Sequence, residues 1–79
     1  MRKLTIEEAE DLDYIVINVD NNVGCKEDLL DYGISVDNAM DLVYSLADDD
    51  IKIVDEDGND LSSYYVAVKS DLIEEVQNV

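Results

Sequence analysis

The chain is 79 residues long, with five Lys plus Arg against twenty-one Asp plus Glu and no histidine, giving a formal charge of −16 at pH 7. A chain of this size forms one domain, spanning residues 1–79, and buries only about 60% of the surface its unfolded form exposes. Its charge excludes direct binding to DNA, RNA or anionic membranes, since such contacts need Lys and Arg to neutralise phosphates.

Other classes fall on residue type. The lone Cys25 has no partner for an internal disulfide, and without histidine or a second thiol it cannot anchor zinc or gain a catalytic base. The longest apolar run, Tyr14-Ile15-Val16-Ile17, is far short of the roughly 20 residues a membrane span requires. Met1-Arg2-Lys3-Leu4 runs into Glu7, Glu8 and Glu10 with no apolar signal core, so the expected location is the cytoplasm.

In chain order, Thr5-Ile6-Glu7-Glu8 has the form of a capping box and predicts a short helix over about 6–12. Asp13 to Asp20 is β-branched and alternating, with Ile15, Ile17 and Val19 on one face. That pattern predicts a strand, continuation of the first helix being the alternative. Asp20 to Gly24 is turn chemistry, and Lys26 to Tyr32 reads as a short helix stopped by Gly33.

Ser35 to Ala47 predicts an amphipathic helix, with Ser35 as N-cap and Val36, Ala39, Met40, Val43 and Ala47 on its apolar face. Ile51 to Val54 and Tyr64 to Val68 alternate around Asp57-Gly58, which predicts a β-hairpin with Ile51 and Ile53 facing Tyr64, Val66 and Val68. Ser70-Asp71 caps a last helix holding Leu72, Ile73 and Val76. The expected fold is α+β: a three-stranded antiparallel sheet including the hairpin, packed against short helices on one face.

Few constellations carry chemistry. Asp55-Glu56-Asp57-Gly58-Asn59-Asp60 resembles a calcium loop in composition, but with Gly58 as the turn glycine the end ligand positions fall on Ile53 and Tyr64. A weak divalent-ion site is the remaining metal reading, and a hairpin turn explains the same residues without one. No phosphate loop, triad or metal spacing is present, and the chain is read as a non-enzyme without cofactor or resident metal.

The charge is the distinctive feature. Area scaling gives a surface of roughly 4,800 Å², on the order of one net charge per 300 Å². Duplex DNA carries on the order of one per 100 Å². If the excess gathers on a third of the surface, the densities match. Asp37, Asp41 and Asp48 lie along one side of the third helix, and Asp49, Asp50, Asp55, Glu56 and Asp57 continue from its end. These eight are the candidate partner-binding residues, each a phosphate surrogate for a partner's Lys or Arg. Tyr44, Tyr64 and Tyr65 are candidate anchors, with core packing as their alternative role. A solvated surface that keeps a small protein in solution, or salt adaptation, is the plain alternative for the charge.

In size, acidity and lack of catalytic groups the whole chain resembles the small DNA-mimic inhibitors that phages encode against restriction and CRISPR effectors. The resemblance implies a basic nucleic-acid-binding protein as partner, blocked competitively in the host cytoplasm by a monomer or weak homodimer. A more local likeness runs from Glu27-Asp28-Leu29-Leu30-Asp31-Tyr32-Gly33-Ile34 through Ala39-Met40-Asp41-Leu42-Val43 to Ile51-Lys52-Ile53, which is similar to the middle of acyl carrier proteins. There Val36 falls on the prosthetic-group serine and Ser35 on the aspartate before it, so the implied carrier or general interaction domain lacks its attachment hydroxyl. Ile51-Lys52-Ile53-Val54-Asp55-Glu56 after a helix also resembles the acidic N-terminal domain of primary sigma factors, which occupies a DNA channel.

Overall fold

A computed structural model describes residues 1–77. The elements in order are β1 (Arg2–Leu4), α1 (Ile6–Asp11), β2 (Tyr14–Asn18), α2 (Asn22–Leu30), α3 (Ala39–Leu46), β3 (Ile51–Ile53), β4 (Tyr65–Lys69) and α4 (Ser70–Gln77). The class is α+β, but the expected three-stranded antiparallel sheet does not form. Instead β1 pairs with β3 in parallel, and β2 pairs with β4 in antiparallel.

The reason lies in β2. Its apolar residues point both ways: Ile15 and Ile17 join one hydrophobic cluster, Tyr14 and Val16 another. A sheet covered by helices on one face would leave Tyr14 and Val16 in water. Placing the β2–β4 ribbon in the middle buries both sides, and the result is three layers. On one face α2, α3 and α4 bring Cys25, Leu29, Ala39, Val43 and Ile73 against Ile17 and Val68. On the other, β1, β3 and α1 supply Leu4, Ile53 and Ala9 against Ala67. Fully burying each large aliphatic chain here, Ile17, Leu29, Ile53 and Ile73 among them, contributes about 1.5–3 kcal/mol.

The predicted hairpin is replaced for the same reason. The Asp57-Gly58 turn does form, with Gly58 at φ 86°, in the left-handed region that glycine tolerates. The returning chain pairs only briefly: the Leu61 amide donates to Ile53 (2.8 Å), and the Tyr64 and Tyr65 amides to Leu61 then swing it away from β3 and into β4. Parity follows. Tyr65 and Ala67, not Val66 and Val68, share the cluster of Ile51 and Ile53, while Tyr64 stays 50% exposed.

Two helix starts also differ. α2 begins at Asn22, inside the predicted turn, because Asn21 caps it through the Gly24 amide (2.8 Å). α3 begins at Ala39 rather than after Ser35, which is exposed and makes no cap. The chain from Ile34 to Asn38 is held instead by Asn22, whose side chain donates to Asp37 C=O (3.0 Å) and accepts from Met40 N–H (3.3 Å). Other expectations stand: the Thr5/Glu8 capping box opens α1, Gly33 closes α2 at φ 76°, residues 14–18 are strand, and 70–77 are helix.

Candidate functional site

Of the twenty-one acids only Asp28, Asp48 and Asp55 are half-buried, which leaves eighteen exposed. Each of the three accepts hydrogen bonds from backbone amides. Asp28 takes the Asn18 amide of β2 (2.8 Å). Asp48 takes the Asp50 amide (2.9 Å) with one oxygen and the Tyr14 hydroxyl (2.9 Å) with the other. Asp55 takes the amides of Asp57 (2.9 Å) and Asn59 (2.8 Å), and its second oxygen takes the Asn59 side chain (3.0 Å).

At Asp48 and Asp55 these bonds favour the ionised form. The Asp50 amide, then the Tyr14 hydroxyl, hold the Asp48 carboxyl below the usual carboxylate range. Bonds from Asn59 do so at Asp55. Ser62 does the same at Asp60, whose oxygen also lies 3.4 Å from Lys52 Nζ. Asp48 in turn pushes the Tyr14 phenol up.

The eight predicted residues are distributed over three stations rather than gathered at one. Asp37 and Asp41 lie at the start of α3, both exposed. Asp48, Asp49 and Asp50 lie beyond its other end, about 12 Å along an eight-residue helix. Asp55, Glu56 and Asp57 follow β3, three extended residues further. Asp49, Asp50, Glu56 and Asp57 are exposed, whereas Asp48 and Asp55 are tied into the turns that display them. The second station borders a shallow hollow of about 480 Å³ that also meets Lys69 and Leu72.

The third station has neighbours that sequence reasoning missed. In-register parallel pairing sets Leu4 beside Ile53, so the segments that follow them, Thr5 into α1 and Val54 into the turn, leave side by side. Glu7 and Glu10 of α1 thereby come to a groove of about 500 Å³ shared with Asp55 and Glu56. Their i, i+3 spacing on α1 was legible, but its partner was not.

Tyr44 is exposed (52%) and Tyr65 half-buried, and both line a cleft of about 200 Å³ at the second station. Cys25 is fully buried, and burial pushes its thiol up, so its role is packing. Among the described residues no three acidic or thiol side chains converge to hold a metal ion, and no helix is long and apolar enough to cross a membrane. No known protein family, curated protein or solved structure matches the chain.

Proposed function

We propose that this protein is an acidic mimic of nucleic acid, a binding protein rather than an enzyme, that occupies the basic nucleic-acid site of a partner protein such as a restriction or CRISPR effector. The observation that carries the reading is uncompensated charge: among the described residues one ion pair, Lys52–Asp60, serves a chain of net charge −16. The accessible surface of 5055 Å² over 16 net charges is about 320 Å² for each. A surface of that kind gains little within its own fold and repels itself, and what it favours is a surface of opposite sign.

Asp37, Asp41, Asp49, Asp50, Glu56 and Asp57 stand where phosphates would lie, while Asp48 and Asp55 fix the loops that present their neighbours. Charges displayed this way steer association from a distance and lose that advantage as salt shortens the Debye length to about 8 Å. Exposed Tyr44 supplies contact area that charge alone does not.

The test is retention of a partner from a lysate on the tagged chain at low salt, with nuclease treatment, followed by elution with duplex DNA or guide RNA. The mimic reading expects one nucleic-acid-binding protein, kept after nuclease and displaced by nucleic acid. A diffuse set of basic proteins leaving together at the first salt step would overturn it.

A further inference from the structure

The groove between α1 and the turn after β3 differs in kind from the other acidic stations. Ile6 and Leu61, both half-buried, contribute apolar surface to it, and Glu7, Glu10, Asp55 and Glu56 border that surface. No lysine or arginine lines it, whereas the hollow beside Asp48–Asp50 already contains Lys69. Asp55 is fixed by the amides of its own turn, and Glu7, Glu10 and Glu56 make no side-chain hydrogen bond or ion pair among the described residues. Three free carboxylates therefore face a space that has nothing of opposite sign.

We infer that this groove is a docking site for an arginine-bearing segment of a protein partner, with the aliphatic stem of the arginine over Ile6 and Leu61 and its guanidinium among Glu7, Glu10 and Glu56. Two features select that occupant. The carboxylates flank an apolar patch and do not converge as metal ligands do, so they suit a long side chain that is apolar along its length and charged at its end. A guanidinium is also weakly hydrated and offers five donors in a planar fork, which can address carboxylates on both sides at once. A nucleic acid would meet like charge here. The inference rests on the mimic reading for the partner's basic character, and it adds a position and a side chain.

The experiment uses the full chain, ¹⁵N-labelled, at physiological salt, titrated with a Gly/Ser dodecapeptide carrying three arginines. The expected result is saturable shifts at residues 5–10 and 54–61. Replacing Glu7→Gln, Glu10→Gln and Glu56→Gln together weakens binding about tenfold, whereas Asp20→Asn, Asp71→Asn and Glu75→Gln, exposed acids outside the groove and outside the proposed phosphate-mimicking set, remove the same charge and weaken it less than about twofold because distant charges are screened. A peptide with diaminopropionic acid at the arginine positions keeps the charge without the stem and binds several-fold more weakly. Equal losses in the two triple variants, equal affinity of the two peptides, shifts mapping elsewhere, or full displacement by equimolar magnesium would each overturn the inference. The titration contains no nucleic-acid-binding protein, so the two readings fail separately. A partner captured as described above while the peptide result fails removes the groove alone, and the reverse removes the mimic.

Discussion

Asp48 and Asp55 occupy the same place in two similar stretches, each opening an acidic run and each accepting the amide two residues on. They differ in reach. Every partner of Asp55 lies within four residues, whereas Asp48 also binds the Tyr14 hydroxyl on β2, 34 residues away. The same local chemistry thus makes a self-contained loop in one place and a link between α3, β3 and β2 in the other. In both, the first acid serves the fold and those directly after it stay exposed.

That division can be broken by mutation. The largest effect is expected at Asp48→Ala, which removes a charged acceptor from a buried-side hydroxyl and a turn amide. Discounted for partial exposure, the cost is about 1–2 kcal/mol, read as a lower urea midpoint at unchanged slope. Asp55→Ala should affect global stability less and instead speed amide exchange at Asp57 and Asn59. Equal losses of global stability from the two would show that reach does not matter. Tyr14→Phe comes next. It keeps the ring packing and removes one donor, so it should destabilise less than Asp48→Ala and couple to Asp48→Asn in a double-mutant cycle.

Dependence on pH sharpens the same comparison. The folded-state pKa of Asp48 is lowered, so its contribution is present above the ordinary carboxylate value and is lost as pH falls through the lowered one. The Tyr14 pKa is raised, so the contribution of its phenol is present below the ordinary value of 10.0 and is lost as pH rises through the folded one. Subtracting Tyr14→Phe from the parent, which cancels the general relief of repulsion on acidification, should therefore leave a difference that fades at both extremes. Subtracting Asp55→Asn should leave one that fades only in acid. The smallest expected effects are those of Asp49→Asn and Asp57→Asn, each within about 0.5 kcal/mol of the parent in denaturation yet weaker in retaining a basic partner as salt rises.

Elements whose cause is local were legible in the sequence: Thr5/Glu8 at the start of α1, Gly33 after α2, the alternation of β2 and the periodicity of α4. What was not legible was pairing. β1 is three residues long, with Arg2 and Lys3 exposed and only Leu4 buried, so no periodicity marks it, and it is a strand because β3 lies alongside. The start of α3 was misplaced because its bonding group, Asn22, belongs to another helix. At the candidate site each acid could be named, and the Asp-x-Asp spacing of 48/50 and 55/57 is the local signal for amide-capping turns. That Glu7 and Glu10 join Glu56 follows from the β1–β3 register and from nothing local.

The parallel β1–β3 ribbon has a consequence for the order of synthesis. Leu4 has no strand partner until Ile53 exists, and β2 waits for Tyr65–Lys69. At about 5–20 residues per second, the ribosome keeps the first two strands waiting several seconds. Through that interval β2 is an apolar edge able to pair with a neighbouring nascent chain. The acids of α1 and α2 that emerge on either side of it place like charge on every such neighbour, and that repulsion opposes the pairing until β4 covers the edge.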